Sequence, residues 1–158
     1  MTEDLISTVM LDCIRIAKAN LDNNQYPIAA IVTDKDGNII SSSLSSLRQG
    51  YDSTNHPEIN AIRKASATLK QRKLYGCYLF TTLEPCPMCT SAAIWASMEG
   101  IVFGASQEDA ITFVKNTPSH KLSWRQIPIP AEYIVSKGKP NMKLFGGIHR
   151  EKCCELFK

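Results

Sequence analysis

Two short motifs contain the residues of this chain that are best suited to chemistry. "HPE" places His56 two residues before Glu58, and "EPCPMC" places Cys86 and Cys89 at C-x-x-C spacing. Imidazole nitrogen and thiolate sulfur are preferred zinc donors, and three of them leave a fourth position open for water. That open arrangement is typical of a catalytic site and not of a closed structural site. The sequence therefore predicts one Zn²⁺ per chain.

Glu58 has a separate role in this interpretation. Pro57 can begin a helix, so Glu58 falls in the first helical turn, close to a metal held by His56 without being one of its ligands. Zinc lowers the pKa of a bound water molecule, and the positive ends of helices favour the resulting negative charge. A carboxylate at position 58 can take the proton and pass it to a substrate, as a general acid/base.

The remaining four cysteines lack metal-ligand spacing. Cys13 and Cys77 lie among apolar neighbours and are expected in the core, whereas Cys153 and Cys154 are adjacent in a helical tail, where at most one faces inward. Without a secretory signal, metal binding is a better interpretation of C-x-x-C than a disulfide. A structural zinc site is the alternative, and it requires a fourth protein ligand. The available residues are His120, His149, Cys153 and Cys154.

Composition places the chain among ordinary folded proteins. It has 158 residues, 44% of them hydrophobic and 21% charged, which suits a single domain with one core. No apolar run is long enough to span a membrane, and the start "MTEDLISTVM" is acidic, so a cytoplasmic location is expected. The net charge of +3 is spread along the chain, which permits an RNA partner but does not favour one.

The first third of the chain predicts a helix and a hairpin. Apolar residues recur at three and four positions over 3–23, and Thr2 is a suitable N-cap for that helix. "PIAAIVTD" (27–34) is a short apolar run, "KDGN" is typical of a turn, and "IISSSL" (39–44) is the returning strand. A polar loop follows over 45–55.

Both motifs fall at predicted helix starts. A helix is expected over 57–70, a buried strand over 77–82, a second helix over 86–98 and a strand over 100–106. This alternation implies crossover connections and parallel neighbours in the sheet. Residues at helix starts are held firmly next to free backbone N–H groups.

The segment 107–147 gives the weakest pattern. "EYIVSK" (132–137) has the β-branched and aromatic residues of a last strand, and glycines at 146–147 precede a final helix. We interpret this segment as an extension of one domain that covers 1–158, or as a flap over the site.

These motifs carry a family resemblance. "HPE" followed by "PCPMC" resembles the H-x-E…P-C-x-x-C signature of the zinc-dependent nucleobase and nucleoside deaminases, from about Pro27 to Ala105. "PIAAIV", Asp52 before the histidine, "HPEINAIRKA", "LEPCPMC" and "AIWASMEGIVFGA" are most similar to bacterial guanine deaminases and tRNA adenosine deaminases.

The resemblance implies a fold, an assembly and a reaction. The expected fold is a cytidine deaminase-like three-layer α/β/α sandwich with a mixed five-stranded sheet, and the expected assembly is a homodimer. The expected reaction is hydrolysis of an exocyclic amine on a heterocycle, with release of ammonia. Carried over by residue, His56, Cys86 and Cys89 would bind zinc and Glu58 would be the general acid/base.

Three positions depart from the family pattern and bear on the substrate. Relatives have a substrate-binding Asn where this chain has Ser45, which lacks the paired donor and acceptor of an amide. Relatives usually have Ala between the His and the Glu, whereas Pro57 has no N–H to offer a bound base. Guanine deaminases have an aromatic ring at the position of Ile28.

The substrate is therefore expected to be held differently from guanine. Residues of the 107–147 segment, such as Asp109 or Trp124, are candidates for the additional contacts, and in relatives the segment of Glu84 and Pro85 lines the site.

Three functions follow, from two classes. The leading hypothesis is a hydrolase that deaminates a small base or nucleoside, such as a guanine-like purine. The second is a tRNA adenosine (wobble) deaminase, which would require a continuous basic surface. The third is a zinc-stabilised binding protein without turnover, against which Glu58 argues because a structural zinc site does not require that carboxylate.

Overall fold

A five-stranded mixed sheet forms the centre of the molecule. The computed structural model describes residues 1–21, 25–47, 51–118 and 127–158. Its strands lie in the order β2-β1-β3-β4-β5, and β1 pairs antiparallel with β2 and β3, while β3–β4 and β4–β5 pair in parallel. The strands are β1 (Ala29–Thr33), β2 (Ile39–Leu44), β3 (Tyr78–Leu83), β4 (Gly100–Ala105) and β5 (Lys143–Phe145).

Helices cover both faces of this sheet. Within the described residues, none of them is long and apolar enough to cross a membrane. The α-helices are α1 (Glu3–Ala17), α2 (Pro57–Leu69), α3 (Pro87–Trp95), α4 (Gln107–Asn116), α5 (Ala131–Lys137) and α6 (Arg150–Cys154). Short 3₁₀ turns follow α1 at Lys18–Asn20 and α6 at Glu155–Phe157.

The core has two apolar layers because successive strand side chains point to opposite faces. Ile31 and Phe80 belong to a layer shared with α1, α4 and α6. Val32 and Leu79, their neighbours in sequence, belong to the layer shared with α2 and α3. The predicted α/β/α sandwich with a mixed five-stranded sheet is confirmed.

One edge of the sheet collects the segments that carry the motifs. Ala29 pairs with Leu44, and β1 runs antiparallel to β3, so the start of β1 and the ends of β2 and β3 lie together. The end of β4 joins them because Leu83 pairs with Ala105 in parallel. The loops that follow these strands therefore meet at this edge, which is where α2 and α3 begin.

The helix-start predictions are confirmed where a local signal marks them. Thr2 is the N-cap of α1, and its side chain accepts a hydrogen bond from the N–H of Leu5. Pro57 lies in the first turn of α2. α1 ends at Ala17 and not at residue 23, because the chain tightens into a 3₁₀ turn there.

The predicted strand over 132–137 is wrong. These residues belong to α5, and the last strand is β5, which the sequence did not indicate. Pro130 has the extended backbone of an N-cap, and the first N–H of α5 is bound by a carboxylate distant in sequence. The backbone conformation of Pro130 and this hydrogen bond together outweigh the strand propensity of Tyr133–Val135. His120 and Trp124 lie outside the described residues.

Candidate metal centre

Three donor side chains come from the starts of two helices. His56 is the N-cap residue of α2, Cys86 is the N-cap residue of α3, and Cys89 lies in the first turn of α3. A proline follows each N-cap in the first helical turn, where its fixed φ suits the helix and its missing N–H costs nothing. The two motifs thereby face each other across one sheet edge.

The distances between these donors match the edges of a tetrahedral zinc site. His56 Nδ1 lies 3.8 Å from Cys86 Sγ and 3.5 Å from Cys89 Sγ, and the two sulfur atoms are 3.5 Å apart. Zinc bonds of about 2.0–2.3 Å in tetrahedral geometry would separate such donors by roughly 3.5–3.8 Å. The donor set and its spacing therefore fit zinc, and these three residues are the ones that would hold it.

No fourth protein ligand joins this group within the described part of the chain. His149 Nε2 is 2.8 Å from the hydroxyl of Ser7 on α1, and Cys153 is fully buried in the opposite apolar layer, against Gly104. Cys154 is half-buried beside it, so one cysteine of the tail faces inward, as predicted. Among the described residues the donors thus form a set of three, which is the kind of set that leaves one coordination position open.

The two cysteine thiols differ in pKa, because one donates a hydrogen bond to the other. The hydrogen bond with the Cys89 thiol lowers the pKa of Cys86 to about 4, with a further contribution from His56. The same interaction raises the pKa of Cys89 above its ordinary value, and burial adds to that increase. A cation between the sulfur atoms would favour the thiolate form of both.

Glu58 lies beside the donors but is held by a different partner. Its Oε2 is 3.5 Å from Cys89 Sγ, and its Oε1 accepts a hydrogen bond from Thr81 Oγ1 at 3.1 Å. Burial raises the pKa of the Glu58 carboxyl above its ordinary value. A carboxylate held in this way can exchange a proton with a molecule at the metal.

Sequence reasoning missed two groups that support the site. Thr81 is fully buried on β3, and only strand alternation in "CYLFTT" could have indicated which face it occupies. The side chain of Asn55, next to His56, donates to Ser46 Oγ at 2.9 Å and accepts from the Asn60 amide. These amides brace the loop that delivers the histidine.

The predicted substrate residues of the first half lie at this sheet edge. Ser45 is 3% exposed, and its Oγ has no hydrogen-bond partner among the described residues. Its N–H donates to the carbonyl of Ile28 at 2.9 Å, and Ile28 is half-buried before β1. Pro57 is buried at the start of α2. Their contacts with a substrate stay predictions.

The other three predicted residues have structural partners. Glu84 accepts hydrogen bonds from the backbone N–H groups of Gln107 and Ala131, and the carbonyl of Pro85 accepts one from Thr90 Oγ1 at 3.3 Å. Asp109 caps its own helix at Ser106 and pairs with Arg150 on α6. Their proposed role at the substrate stays a prediction, with these interactions already in place.

Comparison with known proteins identifies the family to which the chain belongs. The family model described as the cytidine and deoxycytidylate deaminase zinc-binding region matches residues 4–105. A tRNA-specific adenosine deaminase of Aquifex aeolicus is 33% identical over 123 residues, which cover 73% of this chain and 81% of the relative. The structure of guanine deaminase from Bacillus subtilis aligns with a TM-score of 0.63 at 29% identity, over 82% of this chain and 84% of that one.

Another relative is much longer than this protein. A tRNA(Ile)-lysidine synthase of Deinococcus deserti is 41% identical over 107 residues, which are 68% of this chain but 20% of the relative. The matched part of this chain thus spans about a fifth of that protein. The matched region contains the zinc donors and Glu58 described above. The chain belongs to the cytidine and deoxycytidylate deaminase zinc-binding family.

Proposed function

We propose that the protein is a zinc-dependent hydrolytic deaminase, which removes an exocyclic amine from a nucleobase or nucleoside and releases ammonia. The observation that carries this proposal is the position of Glu58. Its carboxylate is buried with one oxygen atom next to Cys89 Sγ, while its other oxygen atom contacts Thr81 Oγ1. A binding protein stabilised by zinc would not require a carboxylate in that place.

The chain's own residues would move protons in this reaction. Zinc held by His56, Cys86 and Cys89 supplies Lewis acidity that makes water a better nucleophile at neutral pH. Glu58 takes a proton from the water that adds to the ring carbon bearing the amine, and it delivers that proton to the ring nitrogen. Glu58 then passes a second proton from the added hydroxyl to the departing amine, which leaves as ammonia while the ring carbon becomes a carbonyl.

We place the substrate's ring at the sheet edge near Ser45 and Ile28. The hydroxyl of Ser45 is buried without a partner among the described residues, an exception among buried polar groups that supports a role in holding a ligand. Ile28 offers aliphatic contact where guanine deaminases have an aromatic ring. These two substitutions support a substrate that is held differently from guanine, and an apolar residue at position 28 is closer to the tRNA adenosine deaminases; the guanine-like purine or related aminoheterocycle rests on the wider family resemblance.

A tRNA adenosine deaminase is the second candidate. The alignment with the Aquifex aeolicus tRNA-specific adenosine deaminase covers most of both proteins, which favours this alternative. The charge favours the small molecule, because the net charge of +3 gives weak attraction for a phosphate backbone. We therefore propose a free base or nucleoside as the substrate. We also propose that the chain is a single domain and that it is cytoplasmic, because a reducing compartment would keep both zinc-binding thiols reduced.

An ammonia-release screen tests the proposal. The zinc-loaded protein is incubated with purines, pyrimidines, their nucleosides, related aminoheterocycles and an anticodon stem-loop RNA. We expect turnover of at least one small molecule, and a loss of about 10²- to 10⁴-fold in Glu58→Ala, which should keep its zinc. Cys86→Ala is the matched variant and should lose the metal as well.

Three results would contradict parts of this account. Deamination of the RNA alone would favour the tRNA enzyme. A zinc-loaded protein that is inert on every compound would favour the binding protein. Equal loss of zinc in both variants would make Glu58 a metal ligand and not a proton carrier.

A further inference from the structure

Glu84 is a buried carboxylate that binds two helices at once. It is 6% exposed; its Oε2 accepts from the N–H of Gln107 at 2.9 Å, and its Oε1 accepts from the N–H of Ala131 at 2.7 Å. Gln107 and Ala131 are the first residues of α4 and α5. The first N–H groups of a helix have no acceptor within that helix. One side chain therefore fixes the starts of both helices to the end of β3.

The same short segment carries a zinc donor. The N–H of Glu84 donates to the carbonyl of Ala105 at 2.8 Å, and the carbonyl of Pro85 accepts from Thr90 Oγ1 at 3.3 Å. Cys86 follows directly. A backbone hydrogen bond thus holds the turn between β3 and α3 to β4, and a side chain of α3 holds it as well. The Glu84 carboxylate connects the same turn to the starts of α4 and α5.

The second helix bound by Glu84 returns to the helix that carries Cys89. Gly138 ends α5, and a Cβ at this position would lie 2.6 Å from Ile94 Cδ1 on α3. The backbone at the end of α5 therefore contacts α3 directly. Glu84 is therefore connected to α3 by two routes. Its carboxylate binds the start of α5, whose end contacts α3, and its backbone lies just before α3 and the two cysteines.

We propose that Glu84 is a positioning residue for the two zinc-binding thiols. Its hydrogen bonds fix α5 and the turn before α3, and these elements fix the spacing of Cys86 and Cys89. Residues outside the ligand set commonly affect metal affinity in this way. The inference rests on the zinc centre of the proposed function. Metal retention can be measured without any substrate, so the inference and the deaminase activity can fail separately.

Zinc release to a chromogenic chelator tests the proposal in Glu84→Gln. This substitution preserves the side-chain volume but turns an amide NH₂ toward one of the two N–H donors. We expect release at 25 °C to be about 10- to 100-fold faster than from the wild type. Phe157→Leu is the control: Phe157 packs on Phe113 in the opposite apolar layer, so this variant should lower Tm without changing the release rate.

Gln107→Pro provides a second test if Glu84→Gln does not fold. It removes one N–H donor at a helix position where proline is tolerated, and Ser106 before it already has the extended backbone that proline requires. We expect zinc release intermediate between the wild type and Glu84→Gln. Wild-type release rates in both variants, whether or not Tm falls as in Phe157→Leu, would overturn the proposal.

Discussion

At the scale of single residues, a buried hydroxyl sets the orientation of Glu58. Thr81 Oγ1 donates to Glu58 Oε1, while Glu58 Oε2 remains next to Cys89. A free carboxylate beside zinc donors could rotate and become a ligand, which would remove it from proton transfer. Thr81 Oγ1 also lies 3.0 Å from the carbonyl of Leu83, so its one proton is shared between the two acceptors. The contact with Glu58 opposes that rotation, because breaking it would remove this donor from the buried Glu58 Oε1.

Thr81→Val should therefore reduce turnover while the fold and zinc remain. The substitution keeps the side-chain shape and removes the hydroxyl that contacts both Glu58 and the Leu83 carbonyl. A loss of about 1–1.5 kcal/mol at Glu58 corresponds to roughly a tenfold lower kcat. Steady-state kinetics and zinc analysis on the same preparation measure both effects. Thr82→Val is the matched control, because Thr82 binds the Ala29 N–H instead of Glu58. Equal kcat losses in the two variants would contradict the role of Thr81.

The candidate zinc donors could be selected from sequence, whereas the residues that support them could not. His56, Cys86 and Cys89 belong to unusual residue types at short spacings, so the motifs identify them without knowledge of the fold. Thr81 contacts Glu58 only because β3 passes beside the start of α2. That proximity depends on how strands and helices pack, and a threonine in an apolar strand gives no signal of it.

At the scale of elements, the accuracy of the sequence predictions follows the range of the interactions. α2 and α3 begin at prolines next to the motifs, and β2 has the predicted bounds 39–44. α5 was predicted as a strand because its partner, Glu84, is 47 residues away. Local propensity could not detect a helix start that is stabilised by a distant carboxylate.

The contact between α4 and α6 makes stability depend on pH. Asp109 forms a capping box with Ser106 and pairs with Arg150, and the hydrogen bonds from the Arg150 guanidinium lower the pKa of Asp109 to about 2 from an ordinary value of 3.8. Because the folded-state pKa is the lower one, this stabilisation is present above pH 3.8 and is lost as the pH falls toward about 2. Arg150 is largely exposed, so solvent screens the pair.

Asp109→Asn should be less stable than the wild type by about 1 kcal/mol near pH 7, and by much less near pH 2.5. Urea unfolding at several pH values measures this difference. Lys35→Ala, which removes an exposed ion pair with Asp36, should change stability little at any pH. A constant difference for Asp109→Asn down to about pH 2.5 would contradict the assigned cause.

At the scale of the whole molecule, two exposed aromatic side chains mark a candidate interface for the homodimer that the family resemblance implies. Trp95 at the end of α3 is 76% exposed and Tyr75 is 73% exposed. The backbone segments that carry them are adjacent, because the N–H of Leu74 donates to the carbonyl of Ala96 at 2.7 Å. α3 has apolar residues around most of its surface, which is typical of a helix that is covered on several sides. Large apolar side chains exposed together mark association surfaces.

Trp95→Glu should convert the proposed dimer into a monomer, because a buried, unpaired carboxylate opposes association. Sedimentation velocity at about 10 μM protein measures the change, a concentration well above the Kd of a stable dimer. Leu21→Glu is the control: Leu21 is 47% exposed next to the 3₁₀ turn after α1 and should not affect assembly. A monomeric wild type, or a Trp95→Glu variant that stays dimeric, would exclude this surface as the interface.

The proposed chemistry depends on how many ligands the chain gives to zinc. X-ray absorption at the zinc edge of the purified protein measures this most directly. We predict about two sulfur neighbours near 2.3 Å and two nitrogen or oxygen neighbours near 2.0 Å, one of them from solvent, with an unchanged spectrum in Glu58→Ala. A third sulfur neighbour, or a spectrum that loses a ligand in Glu58→Ala, would show a zinc ion enclosed by the protein and would contradict the proposed catalytic centre.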